Sequence, residues 1–332
     1  MKNNEAIFYS KYYRTQYFLL DQELVLGNKD KRKCRFCGIT NTKKFRKAAH
    51  AIPQLLGNKY VVSYYECDNC NGDFGQHIEN QLGNYSGPFR TLTLLQGKGG
   101  IPSHKREGII DIQAHGDIVQ IEVDERYSKL VAYDEQSGEI SVSLERGKYI
   151  PMAVYKAYVK MALTMMDEAD FLEFHETLGW IKETKHILKH PLVQLNAYTK
   201  FIDGKDVFPL PEVYLIFRRA DAPSNLPYAW MVLCTGNQVI QIMIPYSDRD
   251  RGFENYLEQG QIPRFIKHPQ LLRPGAFDQK NWSSAEPIKN ERMPPLTLCS
   301  IPDLIKVGEG YDFSELLQEF GDEEKYKRFM ES

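Results

Sequence analysis

The chain has no apolar run near the ~18 residues that a bilayer-spanning helix needs, which excludes a helical integral membrane protein. Its first twenty residues are too polar and too rich in tyrosine for a secretory signal, so the expected location is the cytoplasm. The Gly-rich stretch Gln96–Arg106 lacks the Gly-Lys-Ser/Thr ending of a phosphate-binding P-loop and excludes that reading. There is no internal repeat and no low-complexity segment. Net charge is nearly absent, at −2, and cysteine is sparse, at six in 332 residues. The 12% aromatic content is ample core material and excludes wholesale disorder. A chain of this length, at roughly 100–200 residues per domain, suggests about two domains.

The small net charge conceals a split. Residues 1–100 hold 15 Lys and Arg against 8 Asp and Glu, a net of +7, and the remainder holds 27 against 36, a net of −9. Such asymmetry suggests a basic module facing a polyanion and an acidic module with another task. Between Asn28 and His50 stand nine basic residues and a single acid, Asp30. Lys31, Arg32, Lys33, Arg35, Lys43, Lys44, Arg46 and Lys47 are the candidate nucleic-acid contacts.

The cysteines are not scattered. Cys34–Cys37 and Cys67–Cys70 are two C-x-x-C pairs, and in a chain without a signal they read as a tetrahedral zinc site rather than as disulfides. Two thiolates at that spacing both reach one ion from a tight knuckle or a first helical turn. Gly38 stands where a knuckle needs tolerance of positive φ. Cys234 and Cys299 sit alone and read as core residues. The pairs are separated by 29 residues, more than a simple four-cysteine finger needs, so something is inserted between the halves of the metal site.

That insert contains Ala49-His50-Ala51-Ile52-Pro53, then Leu56-Gly57-Asn58, then a strand-like run from Tyr60 to Tyr65. Asn71 follows Cys70 directly, and Phe74-Gly75-Gln76-His77-Ile78-Glu79 comes next. In order and type these pieces resemble the HNH family of ββα-metal nucleases, in its four-cysteine, treble-clef branch. The resemblance covers roughly residues 30–85. It implies an α+β protein with an N-terminal ββα-metal/treble-clef HNH module and a structural zinc. It implies hydrolysis of DNA phosphodiesters with His50 as general base, since a pKa near 6.5 suits proton abstraction at neutral pH. Asn71 stands where many members place a ligand to a catalytic divalent ion, Mg²⁺ or similar. His77 is a third candidate, although six residues carry it about 240° past Asn71 on an ideal helix. Two departures stand out. Ala48 and Ala49 occupy the place where many members carry a second metal ligand. The middle Asn of the family name has no clear match, Asn58 and Ser63 being nearest. Asp73 and Glu79 are alternative carboxylate donors.

The rest reads as a mixed antiparallel-sheet and helix domain. Alternating runs from Ile109 to Leu144 predict a meander. Met152, Tyr155, Val159, Leu163 and Met166 predict an amphipathic helix after Pro151. One or two helices follow within 171–187, then strands over 213–217, 229–234 and 239–244, with Gly236-Asn237 as a hairpin turn. The tail from Pro294 ends in a short acidic helix. The expected division is 1–95 for the nuclease and 105–332 for a regulatory, partner-binding or dimerising domain. Residues 96–106 would form a linker touching nucleic acid through Lys98, Lys105 and Arg106. The expected roles are antiphage defence or restriction, with DNA as partner and a homodimer or regulatory ligand through the second domain. The alternative is a treble-clef zinc protein that grips nucleic acid without cutting it.

Overall fold

The computed structural model describes residues 8–299, apart from 116–117, 135–138, 191–192, 203–206, 253–263, 266–268, 273–274 and 294. The expected acidic helix of the tail lies outside the described residues.

An antiparallel six-stranded sheet forms the centre. It runs in the order β1 (Tyr13–Leu19), β11 (Phe208–Arg218), β12 (Ala229–Gly236), β13 (Gln238–Met243), β10 (Asn196–Ile202), β14 (Gly275–Asn281). Interior strands β11 and β12 carry long apolar runs, and Val213–Phe217 is buried at every position, as it must be when both faces are covered. The turn between β12 and β13 falls where Gly236-Asn237 places it, and Gly236 takes φ +55°.

Against β12 lies the Pro151–Met165 helix. Pro151 opens it at the first helical position, where a missing N–H costs nothing. The expected amphipathic pattern is not what the tertiary structure uses. Every residue of this helix is buried, because the sheet covers one side and other helices cover the rest. Two of its buried residues, Lys156 and Lys160, are lysines with no exposed surface.

The expected meander forms its strands but not as one sheet. β5 (His104–Arg106), β6 (Ile110–His115) and β7 (Ile118–Val123) make one three-stranded sheet. β8 (Val131–Asp134) pairs with β9 (Glu139–Val142), and β9 pairs on its other side with β15 (Leu296–Cys299). Periodicity identifies strands, whereas the second partner of β9 comes from more than 150 residues away.

The sequence division at residues 95–105 is crossed by the packing. β1 forms an edge of the central sheet, in register with β11 from Tyr13↔Arg218 to Leu19↔Glu212. One apolar core contains Cys34, Phe36, Phe74 and Leu82 together with Val154, Tyr158, Leu215 and Ile242. The Gly-rich segment is likewise docked rather than free. Gly97 and Gly100 exchange backbone hydrogen bonds of 3.0 and 3.1 Å, Lys105 pairs with Asp111 and Arg106 with Glu145. Lys98 stays exposed.

Candidate active site and cysteine cluster

A small sheet builds the site. β2 (Leu24–Leu26) pairs in parallel with β4 (Val61–Ser63), and β3 (Ala49–His50) pairs with β4 antiparallel, setting His50 opposite Val62. A helical segment follows in three pieces: α1 (Asp68–Phe74), a π-helical turn over Gly75–Glu79, and α2 (Asn80–Leu92). The later helices are α3 (Pro151–Met165), α4 (Glu168–Phe171) and α5 (His175–Lys182).

The first cysteine pair sits on a knuckle. The Gly38 N–H donates to Cys34 O at 2.8 Å with Gly38 at φ +76°, the conformation expected of that glycine. Cys67 caps α1 and Cys70 lies in its first turn. The four Sγ atoms all lie within 4.8 Å of one another, and Cys37 and Cys67 are 3.6 Å apart. A tetrahedral zinc with bonds of about 2.3 Å sets its sulfurs about 3.8 Å apart, so the cluster fits that ion. The hydrogen bond with Cys70 holds Cys34 below the usual thiol range and pushes Cys70 above it, while burial raises Cys67. Only a cation at the centre allows all four sulfurs to be thiolates. Cys234 is buried in β12, away from this set.

Asn58 explains how the His50 strand is held. It is fully buried, and its side chain donates to Ile52 O at 2.7 Å and Val61 O at 2.8 Å. Its Oδ1 accepts from Tyr60 N at 3.1 Å and Val61 N at 2.9 Å. One amide thus ties the chain leaving β3 to the start of β4. Ser63, the other residue weighed for this place, accepts from Tyr65 N within its own strand end.

His50 is half-buried. Burial and the positive charges of Lys160 and Lys98 hold its imidazole below the ordinary histidine value, and the Glu79 carboxylate opposes them only in part. It is therefore neutral at pH 7, as a proton acceptor must be. Asn71 is exposed on α1, its backbone N–H donating to Cys67 O at 2.9 Å. His77 is exposed on the π turn.

The neighbours of His50 include a residue that sequence inspection passes over. Lys160 of α3 reaches across to the segment carrying the cysteines. Its Nζ lies 2.8 Å from Glu66 Oε2, an ion-pair contact rather than an aligned hydrogen bond, and donates to Glu79 Oε1 at 3.0 Å. The two carboxylates raise the Lys160 pKa above its ordinary value despite complete burial. Burial pushes Glu66 up to about 7 even against the attraction of Lys160. The available signal was a pair of lysines four residues apart inside an otherwise apolar helix. Glu79 Oε2 makes no hydrogen bond to another described residue.

The basic cluster divides into two groups. Lys31, Lys33, Lys43, Lys44, Arg46 and Lys47 are exposed. Arg35 is turned inward, with 4% of its side chain exposed, against the C-terminus of α3. Arg32 is bound to the carbonyls of Lys29 and Phe45 and lies over the Tyr64 ring. Charge density along the chain does not distinguish an arginine that faces solvent from one that holds the fold.

A knuckle, a short hairpin bearing one histidine, and a helix opened by a second cysteine pair define a ββα module whose four clustered cysteines suit zinc. Residues 34–86 match the model of the family described as HNH endonuclease, and the clustered cysteines place the module in its four-cysteine form. The match covers well under half of the chain. Comparisons with curated proteins and with solved structures find no match. Among the described residues no helix is long and apolar enough to cross a membrane.

Proposed function

We propose that the protein is a metal-dependent endonuclease that hydrolyses DNA phosphodiester bonds, with His50 as the general base. The observation that carries this reading is a half-buried histidine, held neutral by burial and by Lys160, at the end of the hairpin strand in an HNH module. In this mechanism His50 takes a proton from a water aimed at the scissile phosphorus. Lys98, exposed and near enough to influence His50, steadies the phosphate. Asn71 contributes its amide oxygen to a divalent cation, and His77 meets the flanking backbone. Bound there, Mg²⁺ or a similar ion would offset the charge that builds on the leaving oxygen. The zinc held by Cys34, Cys37, Cys67 and Cys70 is structural, since four protein ligands leave no open position. The exposed lysines and Arg46 hold the DNA backbone.

The biological setting we favour is a cytoplasmic defence or restriction effector, with the remainder of the chain controlling the module through a partner, a ligand or dimerisation. The deciding experiment is nicking of supercoiled plasmid by the purified protein with Mg²⁺, Mn²⁺ or Ni²⁺, beside His50→Ala. Metal-dependent nicking that the variant loses supports the reading. A plasmid shifted on a gel but uncut under every ion overturns it. That outcome favours the second reading, a module that binds without cutting, which Ala49 in place of an acid supports.

A further inference from the structure

We propose that Arg90 and Lys98 form a phosphate-binding site that grips the DNA backbone beside the HNH module. The inference rests on the nucleic-acid side of the reading above and adds a contact from outside the matched residues 34–86. Arg90 stands in the last turn of α2 and is half-buried. Among the described residues no acid and no carbonyl accepts from its guanidinium, and its Nε is buried without a partner. The other arginines drawn into the fold are engaged: Arg35 by carbonyls and Glu168, Arg218 by carbonyls and Asp250, Arg146 by Glu291 and Arg106 by Glu145. Burial lowers the pKa of Arg90, and no neighbouring charge adds to that effect or opposes it. A guanidinium taken partly out of water with nothing to accept its protons costs free energy that the fold does not recover. A bound anion recovers it, and the planar fork fits two oxygens of one phosphate.

The chain after α2 is shaped around this side chain. Leu95 N–H donates to Arg90 O at 2.8 Å, and Leu94 takes φ +54° as the chain folds back. Gly97 then lies against the guanidinium, where a Cβ would stand 2.8 Å from Nη2 and 3.2 Å from Leu55 Cα. The hydrogen bonds between Gly97 and Gly100 close a four-residue turn over Lys98 and Gly99, both exposed. Lys98 is thus next in the chain to the glycine that touches Arg90. This turn is seated on the HNH module. Leu55 belongs to the turn Gln54–Leu56 that follows the His50 strand, and a Cβ on Gly57 would meet Leu95 Cδ1 at 2.8 Å. Two basic groups are therefore docked on the segment that leaves that strand, one a fork half out of water and the other a mobile point charge. That pairing suits a backbone phosphate, which carries charge and position but no sequence.

The test uses the full chain, with zinc content and urea unfolding checked for every variant. Binding of a short fluorescent duplex is read by anisotropy without divalent ion over a range of salt, and plasmid nicking is followed in parallel. Arg90→Gln should fold as stably as the wild type or more so, because it removes a desolvated charge that has no partner. It should bind duplexes of unrelated sequence at least ~5-fold more weakly, with the slope of log K against log salt smaller by about 0.9. Arg90→Lys keeps the charge and loses the fork, and should give a smaller loss with the slope retained. Lys98→Gln should act in the same direction as Arg90→Gln. Unaltered affinity and slope in a folded Arg90→Gln protein overturn the site, as does a wild type that binds no duplex. Reduced stability in both Arg90 variants assigns the guanidinium to the fold and overturns it too. Unaltered binding in Lys98→Gln overturns the part given to Lys98. Inorganic phosphate distinguishes the source of the anion. If it raises the melting temperature of the wild type but not of Arg90→Gln, while both bind duplex equally, the site takes a small anion and the DNA assignment is lost. The nuclease reading fails separately. Weaker duplex binding in Arg90→Gln with no nicking by the wild type upholds the site and sinks the nuclease. Metal-dependent nicking with duplex affinity untouched by Arg90→Gln does the reverse.

Discussion

Arg35 Nη1 donates to the carbonyl of Met166 at 2.8 Å, so a residue lying between two cysteines caps a helix that starts more than a hundred positions later. The same guanidinium reaches the carbonyls of Leu163 and Thr164, pairs with Glu168 and lies 3.5 Å from the centre of the Tyr65 ring. It supplies donors to the last turn of α3, whose carbonyls have no partner within the helix.

Arg35→Ala is accordingly expected to destabilise the chain by about 2–4 kcal/mol, through unmet buried carbonyls and poorer packing. Urea denaturation measures this. A variant with wild-type stability and weakened DNA binding would show instead that Arg35 serves the substrate.

Removing the metal should act on more than the module. Cys34, Cys67 and Cys70 belong to the same core as α3. Cys37→Ser, or a strong chelator, should remove the zinc, about one ion per chain, and lower the melting temperature of the whole transition. Two separate calorimetric transitions, with the later one unmoved by chelator, would contradict a shared core.

Asn58→Ala removes four hydrogen bonds to backbone groups around a fully buried side chain. A loss of about 2–4 kcal/mol is expected, together with reduced nicking because the His50 strand loses its tie. Full activity in a stably folded Asn58→Ala protein would argue against that positioning role.

The pH dependence of nicking follows from His50. Its pKa is lowered in the folded chain, chiefly by burial and then by Lys160, so the base stays neutral to below pH ~6.5. Activity should fall on acidification only at a pH under that value. Stability has the same sign: the unfolded chain binds this proton first, so the folded state loses its advantage as pH falls through the lowered value. An acid limb at or above the ordinary histidine value would rule out this environment for the base.

Lys43, Lys44 and Lys47 are exposed and leave the core untouched. Replacing all three by Ala should change stability by no more than about 0.5 kcal/mol each. DNA binding should weaken, and the slope of log K against log salt should shrink by roughly 0.9 for each phosphate that the variant no longer neutralises. An unaltered slope would place the DNA elsewhere.

Much of the module is legible along the chain because its determinants are local. Cys34–Cys37, Gly38, the His50 strand and the Cys67–Cys70 turn are set by spacing and by the φ that glycine allows, and each is found where those rules put it. The strands at 213–217, 229–234 and 239–244 and their Gly236 turn are local in the same sense. What lies around them depended on contacts across long stretches of sequence. β1 joins a sheet whose next strand begins near residue 208, and β9 takes its partner from residues 296–299. Burial on every side of α3 turned Lys160 from one charge in a helix into the ammonium between Glu66 and Glu79, and a docking site for Arg35 removed one arginine from the basic face. A side chain's charge is written in the sequence, but its electrostatic effect depends on burial and on distance to other charges, and only the folded chain sets those.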